Sequence, residues 1–133
     1  MWAKYYQFLG QIKDFFKELF SFWSVRLYVL FLFLLNGLLW FISLRATAAS
    51  GQELVILHYN VNFGVNLVGE AKKILVIPLL GLLVIGINFF IIFLIRQISK
   101  FLRHLLLAGA LMVNFLLLAS LLAIYFVNFH SWF

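Results

Sequence analysis

The chain has no cysteine, one proline and only four acidic residues in 133. The missing cysteine excludes disulfides, thiol catalysis and any Cys-ligated metal, and it leaves the redox compartment unwritten. The acids, Asp14, Glu18, Glu53 and Glu70, do not supply the carboxylate pair that hydrolytic chemistry uses. No Ser/His/Asp set and no phosphate-cradling glycine loop takes their place. One His and one carboxylate near each other, with asparagines around them, are a poor zinc set. Neither an enzyme, a cofactor nor a metal is expected. Charge of either sign is scarce: 11% of residues, against about 25% in an ordinary soluble domain.

What fills the chain is apolar. Hydrophobic residues make up 66%, with 17 Phe, 4 Trp and 5 Tyr, and the mean hydropathy is +1.12. A water-facing globule of this size cannot hide so many apolar side chains, so the lipid bilayer is the expected surrounding. The net charge of +6 does not point to nucleic acid. The basic residues cluster beside apolar runs, where they act as topology signals and meet anionic headgroups.

Three runs reach the roughly 20 residues a membrane helix needs: 27–44, 74–95 and 105–127. Lys4, Lys13, Lys17 and Arg26 precede the first, and Arg96, Lys100 and Arg103 lie between the second and third; only Arg45, Lys72 and Lys73 fall on the other side. Seven against three places the N-terminus in the cytoplasm, with the 45–73 loop and the C-terminus external, as in a multi-pass protein of a bacterial inner membrane. Tyr125, Trp132 and Phe133 would mark the outer interface. Ala46-Thr47-Ala48 resembles a signal-cleavage site, but the long basic stretch before it and the length of the run favour an uncut span. In residues 1–24 the apolar Tyr5, Leu9, Ile12, Phe16 and Leu19 recur every three or four positions. That spacing predicts an amphipathic helix lying in the cytoplasmic interface. The expected class is an all-α integral membrane protein, a single domain over 1–133.

One stretch breaks the helical pattern. In LVILHYNVNFGVNLVGE (54–70) the odd positions from Val55 to Leu67 are apolar, while His58, Asn60, Asn62, Gly64 and Asn66 alternate with them. Period two predicts strands. Parity then chooses the loop: a three-residue turn Asn62-Phe63-Gly64 pairs Val61 with Val65 and Asn60 with Asn66, keeping apolar with apolar. The expected element is an external β-hairpin over 55–68, with its apolar face on the helices. Its polar face, with His58, Asn60 and Asn66, together with Tyr59, Asn62, Gly64, Glu70 and Lys72 nearby, is the candidate recognition surface for a protein or peptide partner. The plainer account of the same residues is turn chemistry.

Each span also carries one asparagine, Asn36, Asn88 and Asn114, seven to nine residues from its expected cytoplasmic end. An amide facing lipid leaves its hydrogen bonds unmade, so the three are expected to meet each other or another copy of the chain. Gly37, Gly81, Gly86, Ala108, Gly109 and the Ala119–Ala123 pair are expected to allow close helix contact. Pro78 should start or bend the second span.

His58-Tyr59-Asn60, then Gly64, Asn66, Gly69 and Ile77-Pro78-Leu79-Leu80-Gly81, resemble the N-terminal domain of unknown function of SdpI-type bacterial immunity proteins. The resemblance covers about residues 27–95. It departs where Ile56 replaces the usual Pro and Asn66 the frequent Asp, and where the basic residue falls at Lys72 or Lys73. The whole chain is also similar to small three-span proteins of candidate-phylum bacteria with LHYN-type loops. The resemblance implies a non-enzymatic role in immunity or signalling. The alternative expectation is an oligomeric channel or small-solute transporter subunit, for which three helices alone make a poor pore.

Overall fold

A computed structural model describes residues 2–51, 54–60, 62, 64–95 and 98–129, without the side chains of residues 2, 3, 59, 60 and 64–66. The described chain is mostly helical. Helix α1 runs over Trp2–Leu19, α2 over Trp23–Ala49, α3 over Val76–Leu94 and α4 over Lys100–Phe129; strands β1 (Leu54–Asn60) and β2 (Gly64–Glu70) pair between α2 and α3. A 3₁₀ turn, Ala71–Leu75, joins β2 to α3 without a loop. Three helical stretches, Trp23–Ala49, Ala71–Leu94 and Lys100–Phe129, are long and apolar enough to cross a membrane.

Helix ends explain where these elements depart from the apolar runs. Helix α2 continues five residues past Leu44, through a stretch expected to be an open connector. Arg45, Ala46, Ala48 and Ala49 are good helix formers, and the stop is Gly51, whose φ of 62° is the left-handed conformation that closes a helix. Helix α4 starts five residues before the apolar run, because the hydroxyl of Ser99 caps it, accepting the Leu102 N–H at 3.2 Å. Pro78 falls in the first turn of α3, where its missing N–H leaves no intrahelical bond unmade. Between α1 and α2 the chain turns at Phe20–Phe22 without Gly or Pro. The Ser21 hydroxyl donates to the Glu18 carbonyl at 2.6 Å, and Arg26 Nε donates to that of Phe20.

The buried side chains form two apolar clusters. One gathers Leu19, Val25, Leu32, Ile85, Ile92 and Leu107 at the α1 end. The other gathers Leu39, Ala46, Val55, Ala71, Ile74, Leu118 and Leu121 at the hairpin end. Between them lies a buried polar layer. Asn36 Nδ2 donates to the Pro78 carbonyl at 3.1 Å and to Asn114 Oδ1 at 3.3 Å; Asn114 Nδ2 donates to the carbonyls of Ala110 at 3.0 Å and Gly81 at 3.4 Å. Gly81 lets the three helices close on this layer: a Cβ there would stand 2.5 Å from Asn114 Oδ1 and 2.6 Å from Asn36 Nδ2.

Of the three asparagines expected to meet each other or another copy of the chain, Asn36 and Asn114 meet within the chain and Asn88 does not join them. Its Nδ2 donates to the Val84 carbonyl of its own helix at 2.8 Å. The true helix ends account for this: Asn36 is thirteen residues into α2 and Asn114 fourteen into α4, but Asn88 only six from the end of α3. The other glycines also differ from expectation, since Gly37, Gly86 and Gly109 have no neighbour within 4 Å of a would-be Cβ. Of the glycines in the helical spans, only Gly81 makes close contact. Away from the core, Phe33, Phe41, Leu83, Phe90 and Phe115 stand more than half exposed.

Gly81→Ala is therefore expected to force the polar layer apart and lower stability by about 1–3 kcal/mol. Gly37→Ala, with open space around it, should be neutral or slightly stabilising. Reversible unfolding of the purified chain in detergent measures both, and an unchanged Gly81→Ala variant would contradict the layer.

Candidate functional site

The hairpin forms because strand-favouring residues flank a short turn, and its register follows parity with one exception. Leu54 pairs with Glu70, Val55 with Gly69, Ile56 with Val68, Tyr59 with Val65 and Asn60 with Gly64. Odd thus meets odd and even meets even, as parity requires. The register nonetheless sits two residues away from the expected one: Gly64 pairs with Asn60 instead of lying in the turn, and of the expected turn residues Phe63 lies outside the described residues. With Gly64 inside β2, both strands reach the full seven residues. The irregularity lies at His58, which pairs with Leu67. Directly opposed residues share a face, so this mismatch moves Leu67 to the His58 side, where both are exposed.

The inner face is Val55, Leu57 and Gly69. Val55 is buried in the hairpin-end cluster, and Leu57 packs against it. Gly69 lies directly beneath Leu57: a Cβ on it would lie 2.7 Å from Leu57 Cδ1, so Leu57 would have to shift to admit a side chain there. The outer face is less polar than the alternation of 58–66 implies: Leu54, Leu67 and Val68 stand exposed beside His58 and Glu70.

What holds the hairpin against the bundle is an asparagine that the reading of the sequence passed over. Asn128, in the last turn of α4, accepts the Ile56 N–H on its Oδ1 at 2.8 Å and donates its Nδ2 to the Ile56 carbonyl at 2.7 Å. The same Nδ2 donates to the Ile124 carbonyl at 2.8 Å. A side-chain amide thus bonds β1 as a neighbouring strand would. A sequence signal for it exists: Leu107, Asn114, Leu121 and Asn128 recur every seven residues, so Asn128 lies on the core-facing stripe of α4. On α2, the Thr47 hydroxyl bonds the Ser43 carbonyl at 2.8 Å and the Ala71 carbonyl at 3.4 Å, tying the 3₁₀ turn to that helix.

Between β1 and α4 this clamp leaves a recess of about 220 Å³, lined by Ile56, Leu57 and His58 on one side and Ser120, Ala123, Ile124 and Val127 on the other. Its walls are apolar apart from His58 and Ser120. The small side chains of Ser120 and Ala123 make the room.

Among the recognition candidates whose side chains are described, His58 lines the recess. Asn62 is exposed at the turn, and Glu70 and Lys72 are exposed at the base of the hairpin. Tyr59, Asn60, Gly64 and Asn66 belong to the strands, but their side chains lie outside the described residues. The candidates do not converge. Glu70 pairs with Leu54, four residues along β1 from His58, a separation of about 13 Å. Among the described residues no three His, Asp or Glu side chains are placed to share a metal ion. No family model matches the chain, and it has no match among curated proteins or solved structures.

Replacing Asn128 by Leu removes both bonds to Ile56. Each bond contributes about 0.5–1.5 kcal/mol, so hydrogen exchange at the Ile56 amide should rise roughly five- to a hundredfold, while exchange in the middle of α2 stays unchanged. Asn88→Leu is the control, with no effect on β1. Equal exchange in Asn128→Leu and the parent would show that the clamp does not hold the hairpin.

Proposed function

We propose that this chain is a non-enzymatic, three-span membrane protein whose hairpin is a recognition surface for a protein or peptide partner. The observation that carries this reading is the recess beside His58. It is a concave, partly apolar feature held by Asn128, on the strand segment between α2 and α3. Concave sites with a few placed polar groups are where recognition concentrates.

The membrane part of the reading rests on lengths. Arg26 and Arg45 bracket eighteen residues of α2, about 27 Å of helix at ~1.5 Å per residue, close to the roughly 30 Å of a hydrocarbon core. Asn36 then sits near the midplane, with Asn114 and Gly81 beside it. The half-exposed Phe and Leu side chains would face lipid, which also accounts for an apolar surface larger than a soluble monomer carries. On the same scale Ser120 to Val127 lie about 9–20 Å from the Asn114 level, so the recess straddles the boundary between acyl chains and headgroups on the hairpin side.

The distribution of Lys and Arg supports an N-terminus in the cytoplasm and an external hairpin, in a bacterial inner membrane. The resemblance of the hairpin to SdpI-type proteins makes immunity or signalling the process to test first. The channel or transporter alternative draws less from the packing. Asn36 and Asn114 spend their donors on backbone carbonyls and each other, and Asn88 turns to its own helix.

The lack of native cysteine makes the test direct. Single cysteines at positions 17 and 62 are exposed to a membrane-impermeant maleimide in whole cells. Labelling at 62 and protection at 17 is expected; the reverse pattern overturns the orientation. A photo-crosslinking residue at position 58 should capture one defined partner, and His58→Ala combined with Asn60→Ala should abolish the associated phenotype. If that double variant changes neither phenotype nor partner, the recognition role is wrong.

A further inference from the structure

We infer that the groove between α1 and α3 is a binding site for one anionic phospholipid of the leaflet on the α1 side. The inference goes beyond the hairpin's role and rests only on the three-span part of the proposal. Helix α1 meets α3 at Phe15, whose ring stands edge-on to Phe93 with centroids 5.1 Å apart. On one side of that contact lies a groove of about 310 Å³, where Phe8, Ile12 and Phe16 of α1 face Phe89, Phe90 and Phe93 of α3, with no polar surface in it. On the other side lies a crevice of about 270 Å³ bearing Gln11, Asp14 and Glu18. Two of the four acids in the chain therefore line one edge of α1.

Depth and charge select the occupant. Phe89 and Phe93 lie eight and twelve residues along α3 from Gly81, about 12–18 Å from the midplane level. The groove thus sits at the inner edge of the acyl layer, where the upper part of a lipid chain runs. At 3.6 residues per turn, the order around α1 is Lys17, Lys13, then Leu9 and Phe16, then Ile12 and Phe8, then Phe15, and last Gln11, Glu18 and Asp14. A headgroup phosphate held by the exposed Lys13 and Lys17 therefore has its chain led under Leu9 and Phe16 into the groove. Asp14 and Glu18 stand beyond Phe15, outside the apolar groove, so they do not face a headgroup that enters from the Lys13 side. Seven of the ten basic residues of the sequence lie on the α1 side of the spans, which favours an anionic lipid over a zwitterionic one.

The test uses the whole chain in nanodiscs containing phosphatidylcholine and phosphatidylglycerol, the latter with a photoactivatable diazirine in its acyl chain. Crosslinks are expected to concentrate on residues 8–16 and 89–93. Native mass spectrometry should show one phosphatidylglycerol retained per chain. Lys13→Gln and Lys17→Gln should each weaken retention about fivefold, while Lys72→Gln with Lys73→Gln leaves it unchanged. Crosslinks spread evenly around α2, α3 and α4, equal retention of both lipids, or full retention by the Lys13/Lys17 variant would each overturn the site. The cysteine labelling above reports separately on the spans, so failure of the lipid site and failure of the membrane reading are distinguishable.

Discussion

A buried amide must find its partners inside the protein, and in this chain that requirement organises the bundle. Asn36 and Asn114 lie almost fully enclosed between two apolar clusters, where an unmade hydrogen bond costs kilocalories. Their donors reach the backbone carbonyls of Pro78, Gly81 and Ala110, which requires α3 to approach the other two helices closely. Only a residue without a side chain permits that at position 81. The polar layer therefore sets which faces of three otherwise uniformly apolar helices turn inward, and it fixes their relative height. Apolar packing alone would leave both open, because a span of Leu, Ile and Phe offers many equivalent faces. Interhelical hydrogen bonds are individually modest; here their value lies in choosing one arrangement among many.

From that layer the core-facing stripe of α4 rises in steps of seven residues, from Asn114 through Leu121 to Asn128. The same residue type does the same work at both ends of this stripe. Asn114 binds carbonyls of α3 and its own helix, and Asn128 binds β1 and its own helix. The hairpin would be marginal as an isolated pair of strands. It is fixed by three attachments that all belong to the bundle: Val55 and Leu57 in the upper cluster, Asn128 on Ile56, and β2 running directly into the 3₁₀ turn held by Thr47. On α2 the hydroxyl of Ser43 is fully buried and, among the described residues, has no hydrogen-bond partner.

Much of this was legible in the sequence. The three apolar runs gave three long helices, the three- and four-residue spacing of 1–24 gave α1, and the period-two stretch gave two paired strands. Parity correctly required odd to meet odd. It could not choose between registers two residues apart, since each such shift preserves parity. Nor could an apolar run reveal where a helix ends. Helix α2 begins at Trp23, four residues before its apolar run, and Ser99 starts α4 five residues early as a cap, so depths counted from the apolar edges set Asn36 and Asn114 too near the level of Asn88. Asn128 was missed because it lies just past the expected end of the third span, where an amide looks like surface. Read in steps of seven from Asn114, it falls on the core side.

The Asn128 clamp also limits how the hairpin could recognise anything. A free strand edge is a template for another strand, and proteins blunt such edges. Here the outward N–H and carbonyl of Ile56 are both taken by Asn128, so a partner cannot add a strand through that position without displacing a bidentate amide. What stays open is the outer face, with Leu54, Leu67, Val68 and His58, and the recess beneath it. Recognition through those surfaces would be by side chains and shape. The hairpin would then act as a rigid presenting element, positioned by the same hydrogen-bonding demand that closes the bundle below it.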